Sequence, residues 1–150
     1  MSLVYLAGAI DLVDENGRND WRTEAKKILN RCGISAIDPT GTFSYVRSSN
    51  ELDRKITSSK LIEINRNNML MADIALIVLD KNKPSIGTPI ELWMCAEAKK
   101  DVVVLWNGGS EDFIPAYIEG LVNPHDIVFN LESAIDLVVK KSNWHTSNLK

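Results

Sequence analysis

Two cysteines and two histidines are all that 150 residues offer toward disulfides or soft metal ligands. Cys32 and Cys95 are too few for a disulfide framework, and both fall in apolar helical patterns that predict buried structural thiols. His125 and His145 have no Cys or His partner at ligand spacing, so no zinc site is expected. No repeat, low-complexity tract or Pro/Gly/Ser linker interrupts the chain, which reads as a single domain over 1–150, with only 142–150 as a loose polar tail. Long hydrophobic runs are missing too. The longest, such as Ile74 to Leu79, fall far short of the roughly 20 residues that span a bilayer. Met-Ser-Leu-Val-Tyr at the N-terminus has neither the basic region nor the apolar stretch of a signal peptide, so a cytoplasmic protein is expected. Charge of one sign is absent as well: 17 basic and 20 acidic residues leave a net charge of -3. That balance gives no electrostatic footprint for a nucleic-acid polymer or an anionic membrane, and small molecules are the better candidates.

What is present is an ordinary globular composition, 45% apolar and 25% charged. A chain of this length buries roughly 70% of its unfolded surface, enough for a core without metal or disulfide support. Its segments alternate in type. Leu3 to Ala7 is a short apolar run closed by Gly8, after which Trp21, Ala25, Ile28, Leu29 and Cys32 recur at helical spacing until Gly33. Ile34 to Ile37 reads as a strand ended by Asp38-Pro39. Thr40 to Thr57, with Phe43 and Tyr45, has no clear period, and a loop of that length is uncommon unless it covers a site. Leu61, Ile64 and Met71 mark a helix, Ile74 to Leu79 a strand, Thr88 to Lys99 a helix and Val102 to Trp106 a strand. A short helix at Ala116 to Leu121, a strand at Ile127 to Phe129 and a helix from Leu131 to Lys141 follow. Five strand-helix alternations predict an α/β fold with a five-stranded parallel sheet covered on both faces. The expected arrangement is flavodoxin-like, order 2-1-3-4-5, with a ligand crevice between strands 1 and 3 beyond their carboxyl ends.

Gly8 ends the first of those strands and Asp80 the third, so the loops Gly8 to Asn19 and Asn82 to Gly87 face each other. The second leads into Ser85-Ile86-Gly87-Thr88-Pro89-Ile90-Glu91, a helix start whose free N–H groups and dipole suit a phosphate or a hydroxyl-bearing ligand. The same residues also fit a plain capping box, Thr88-x-x-Glu91, with Pro at the helix start.

The pieces VYLAGAID, Asp38-Pro39, NRNNMLMADIALIVLD and PSIGTPIELWMCAEAKKDVVVLW resemble the nucleoside 2-deoxyribosyltransferase family, which includes nucleotide N-glycosidases. The likeness runs from about Leu3 to Trp106 in the same order. It implies a flavodoxin-like fold, no cofactor, a nucleoside or nucleotide as substrate, and cleavage of the N-glycosidic bond by a nucleophilic glutamate, here Glu91, which Tyr5 orients. A carboxylate suits this chemistry because positive charge builds on the sugar as the bond breaks, and the carboxylate can capture C1′. A second base as acceptor gives transfer; water gives hydrolysis. Gly8, Asp11, Asn65, Ser85, Gly87 and Thr88 are the candidate substrate contacts.

Two positions depart from the family pattern. Asn65 stands eight residues before Asp73, where the family has an aspartate, and an amide cannot act as a general acid. Asp11 is a candidate replacement. Ser85 stands six residues before Glu91, where transferases carry an aspartate for the sugar 5′-hydroxyl and nucleotide glycosidases carry a serine for a 5′-phosphate. Arg18 could add positive charge. A 5′-monophosphate N-glycosidase and a non-catalytic nucleotide-binding module therefore stand beside the transferase reading. Trp21 and Trp106 sit at positions that cores commonly use. Around Trp93, by contrast, the helix is apolar almost all round, more than one sheet face buries, which predicts a homodimer or higher homo-oligomer. The resemblance adds a borrowed contact from the segment Phe113 to Tyr117, where the family's serine aligns with Pro115.

Overall fold

Side chains of a strand point alternately to its two faces, and each strand here splits its apolar residues cleanly between two cores. In β1 (Leu3–Ala7), Val4 and Leu6 join one cluster while Tyr5 and Ala7 join the other. The same parity holds in β3 (Ile74–Asp80), with Ile74 and Leu76 on one side and Ala75 and Ile77 on the other. The computed structural model of the chain describes residues 2–10, 12–42, 51–108 and 113–148; the side chains of Glu15, Arg18 and residues 51–56 lie outside the description.

The strands, completed by β2 (Ser35–Ile37), β4 (Asp101–Asn107) and β5 (Ile127–Val128), form one parallel sheet in the order β2-β1-β3-β4-β5. This is the flavodoxin-like arrangement expected from the alternation. Helices α1 (Glu15–Arg31) and α5 (Leu131–Asn148) cover the face built on Val4, Leu76 and Val103. Helices α2 (Glu51–Met71), α3 (Gly87–Glu97) and α4 (Ala116–Leu121) lie on the face built on Tyr5, Ile77 and Val104. A single 3₁₀ turn, Pro124–Asp126, leads into β5.

Four expectations need correction. The tail from Ser142 is not loose: α5 runs to Asn148 and buries Ser142. Lys141 pairs with Asp101 and Asp126, and His145 with Asp101, so polar contacts extend a helix that the apolar period alone ends early. The stretch Thr40 to Thr57 is not all loop, since residues 40–42 are helical and α2 begins at Glu51; Phe43 and Tyr45 fall outside the described residues. Cys32 is exposed rather than buried. It lies just past the last residue of α1, where Gly33 at φ +72° turns the chain away. Finally, the capping box does not form. The hydroxyl of Ser85 accepts the Thr88 N–H at 3.1 Å, and the Glu91 carboxylate is engaged elsewhere.

Candidate active site

In α3 the fully or nearly buried residues are Thr88, Leu92 and Cys95, spaced by four and three. Glu91 belongs to that same inward stripe, three residues after Thr88 and four before Cys95. A carboxylate is thereby aimed at the sheet face on which Tyr5 stands. The Tyr5 hydroxyl donates to Glu91 Oε1 at 2.8 Å, joining residues 86 apart in sequence. Burial of Tyr5, and then the charge of Glu91, push the phenol far above its ordinary range, so it serves as a fixed neutral donor. Burial likewise raises the Glu91 carboxyl above its usual range; the Tyr5 hydrogen bond and the positive charge of Arg22 work in the opposite direction. Cys95, one turn on, is pushed up to about 12 by burial and then by Glu91, which makes it an inert thiol beside the carboxylate.

Arg22 was not picked out in the sequence, and it organises the same end of β1. Among the described residues it is the one charged side chain with no exposure at all. Its Nη2 donates to Gly8 O at 2.9 Å, and Nε and Nη1 reach the carbonyls of Leu6 and Ala9 at 3.4 Å. Asp38, at the end of β2, lies 3.8 Å from Nε. Burial opposes the Asp38 charge, but hydrogen bonds from Lys26 and from the Thr40 hydroxyl and N–H outweigh it and hold the carboxyl below its usual range. Burial brings Arg22 itself down to about 10 despite Asp38 and Glu91, so it stays charged at neutral pH. The signal was available. Arg22 precedes the fully buried Ala25 and Leu29 by three and seven residues, on the inward stripe of α1.

The other candidates divide. Gly8 is required by packing, since a Cβ there would lie 2.7 Å from Cζ2 of Trp21. Trp21 in turn lies with its ring centroid 4.6 Å from the Arg22 guanidinium carbon. Ser85 and Thr88 hydrogen-bond each other at 2.7 Å and close the α3 N-terminus; Thr88 is buried and Gly87 exposed. Asn65 turns inward on α2, and its buried Oδ1 has no hydrogen-bond partner among the described residues. Asp11 lies outside the described residues, as does the side chain of Arg18. Among the described residues, no group of three or more His, Cys, Asp or Glu side chains could hold a metal, and no helix is long and apolar enough to cross a membrane.

Outward of the inner stripe, Ile90 and Trp93 on α3 and Ile86 just before it are exposed, as are Phe113 before α4 and Tyr117 within it. An apolar groove of 460 Å³ runs between α3 and α4, from Ile90 and Trp93 to Pro115 and Tyr117.

A doubly covered parallel sheet of this order, with a part-buried tyrosine-glutamate pair at the β1/β3 switch point, defines a flavodoxin-like α/β protein with a carboxylate beside the crevice where ligands bind in such sheets. The profile of the family described as "Nucleoside 2-deoxyribosyltransferase like" matches residues 2–108, and the chain belongs to that family. Among solved structures, it is similar to the 2-deoxyribosyltransferase of the psychrotolerant bacterium Bacillus psychrosaccharolyticus at 16% identity and a TM-score of 0.68, covering 89% of this chain and 90% of that one. The 2-desoxiribosyltransferase of Leishmania mexicana is 13% identical with a TM-score of 0.64, covering 93% and 98%. A conserved protein of Enterococcus faecalis V583 is 17% identical with a TM-score of 0.67, covering 95% and 99%. No curated protein matches the chain.

Proposed function

We propose that this protein cleaves or exchanges the N-glycosidic bond of a 2′-deoxyribosyl nucleoside or nucleotide through a covalent glycosyl-Glu91 intermediate. The observation that carries the reading is the hydrogen bond from Tyr5 to Glu91 Oε1. It fixes one carboxylate oxygen and leaves Oε2 to attack. As the Oε2–C1′ bond forms, the C1′–N bond breaks and its electron pair leaves with the base, which takes up a proton. In the second half, an acceptor base or water forms the new bond to C1′ and loses its proton, and the Glu91 carboxylate is released. Arg22 supports the first step by keeping positive potential near a carboxylate that burial would otherwise protonate. Asn65, an amide whose Oδ1 has no hydrogen-bond partner among the described residues, suits a contact to the base or a sugar hydroxyl rather than proton donation.

A 5′-monophosphate N-glycosidase is the second reading, favoured by Ser85. This neutral hydroxyl sits at the N-terminus of α3, with no acidic side chain from Asn82 to Pro89 to repel a phosphate. Incubation with a panel of deoxynucleosides and their 5′-monophosphates, with and without a second base, tests both. Base released without an acceptor marks hydrolysis, and base exchange marks transfer. Tight binding with no product in any arm overturns the catalytic reading in favour of a binding module.

The apolar surface of α3 and α4 serves, in the same proposal, as the contact between copies of this chain. Ile90 is 53% and Tyr117 79% exposed, and together with Trp93 and Phe113 they make a patch larger than scattered surface residues. Sedimentation at micromolar concentration is expected to show a dimer or larger, and Trp93→Glu to dissociate it; a wild-type monomer refutes this assignment.

A further inference from the structure

The sheet face opposite Glu91 carries a cavity of 330 Å³ at the carboxyl ends of β3 and β4, which the chemistry above does not use. Val78 and Leu105 form its floor, both packed in the cluster under α1 and α5, whereas Tyr5, Leu92 and Cys95 belong to the cluster on the other side. Trp21, packed in the same cluster as Val78 and Leu105, supplies an aromatic wall, while Phe129 borders the cavity with its side chain packed on the Glu91 side of the sheet. Its volume stands at the small end of the range for small-molecule sites, about 300 to 1,000 Å³, and such sites combine apolar walls with a few placed polar groups.

Those polar groups are Asp80, Asn107, Asn130 and Lys83, and hydrogen bonds fix what three of them can offer. Asp80 Oδ1 accepts the Asn82 N–H at 2.8 Å, and Oδ2 accepts from Asn107 Nδ2 at 2.9 Å. With its NH₂ directed at Asp80, Asn107 keeps its amide oxygen as an acceptor beside the carboxylate. Asn130 uses its own oxygen to cap α5, accepting the Ser133 N–H at 2.8 Å, which leaves its NH₂ as a donor. One edge of the cavity thus presents two acceptors side by side, and Asn130 and Lys83 add donors. This pattern complements a ring bearing an amino group, and the Trp21 ring complements its flat face.

We propose that this cavity is a second small-molecule site, taking a planar amino-substituted nitrogen heteroaromatic, free or as the base of a nucleotide, against Trp21 with its N–H edge on Asp80 and Asn107. The occupant touches Trp21, whose ring lies against Arg22, and also Ala9, whose carbonyl Arg22 holds. It therefore borders the turn that follows β1, although its existence does not depend on glycosyl chemistry at Glu91.

Titration of the whole protein with adenine and with purine, which lacks the amino group, tests the site by the ¹H–¹⁵N signals of the Trp21 indole and the Asn107 side chain. Adenine is expected to shift both signals saturably and to bind at least tenfold tighter than purine. Asp80→Asn should abolish that discrimination, and Val78→Phe, which fills the floor, should weaken adenine at least tenfold. In Glu91→Gln the adenine affinity should stay within twofold of wild type. Adenosine 5′-monophosphate separates the two sources of the ring: an affinity gain over adenine that is lost in Lys83→Met marks a nucleotide site, and equal affinities mark a free-base site. No saturable shift at millimolar adenine overturns the proposal. So does discrimination that survives Asp80→Asn, or binding that disappears in Glu91→Gln, which would place the ring at the catalytic carboxylate.

Discussion

Replacing Tyr5 with Phe removes one oxygen atom from a fully buried ring and with it the donor to Glu91 Oε1. A hydrogen bond to a charged group contributes about 1.5 to 3 kcal/mol. The Tyr5 bond favours the carboxylate over the acid, against the desolvation that already raises the Glu91 pKa. Its loss therefore raises that pKa further, and at about 1.4 kcal/mol per unit the shift is roughly 1 to 2 pH units. In the proposed mechanism only the ionised form of Glu91 attacks C1′. The acid limb of the kcat/KM profile should accordingly move to higher pH by that amount, with much of the rate recovered on the alkaline side. No basic limb belongs to Tyr5, because burial and the Glu91 charge keep the phenol protonated. The assay is base release across pH 4 to 9 for wild type and Tyr5→Phe, with folding monitored by circular dichroism. An acid limb that stays within about 0.3 units of wild type in a folded variant would refute the claim that Tyr5 tunes this carboxylate.

Glu91→Gln should abolish turnover; a variant keeping more than about a tenth of the rate, a loss under ~1.4 kcal/mol, removes Glu91 from the mechanism. Because the Glu91 pKa is raised in the fold, its favourable contribution is present below the ordinary glutamate range and lost as pH rises through the folded value. Thermal melts should thus show Glu91→Gln more stable than wild type at neutral pH, with the difference closing toward about pH 4. Arg22→Met leaves the Leu6, Gly8 and Ala9 carbonyls and Asp38 without their buried donor, and urea denaturation should register a loss of about 3 to 5 kcal/mol; a loss under ~1 kcal/mol would contradict the role given to this side chain. Ser85→Asp retains an acceptor for the Thr88 N–H and so preserves the helix cap, while adding repulsion against a 5′-phosphate. The ratio of kcat/KM for nucleoside over monophosphate should rise at least tenfold, about 1.4 kcal/mol, and an unchanged ratio would show that position 85 does not read the 5′ group.

Much of this molecule follows from local pattern. Continuous apolar strands such as Ile74 to Leu79 require burial on both faces, and their alternation with helices leads to the parallel order that the sheet adopts. The odd parity of Tyr5 in β1 and the stripe Thr88, Glu91, Leu92 and Cys95 in α3 already aim phenol and carboxylate at one sheet face. What periodicity does not contain is which polar groups meet. Thr88-x-x-Glu91 fits a capping box until Tyr5, 86 positions away, claims the carboxylate and Ser85 takes over the cap. Arg22 sits on an inward stripe, but its burial becomes tolerable only where β1 ends with three carbonyls turned toward it and β2 brings Asp38 alongside. Lys141 and His145 extend the last helix for the same reason, through Asp101 and Asp126, which lie on other elements. Apolar burial is largely additive along a chain and can be read residue by residue, whereas a buried polar group is stable only with a partner, and distant segments supply that partner once the tertiary fold has formed.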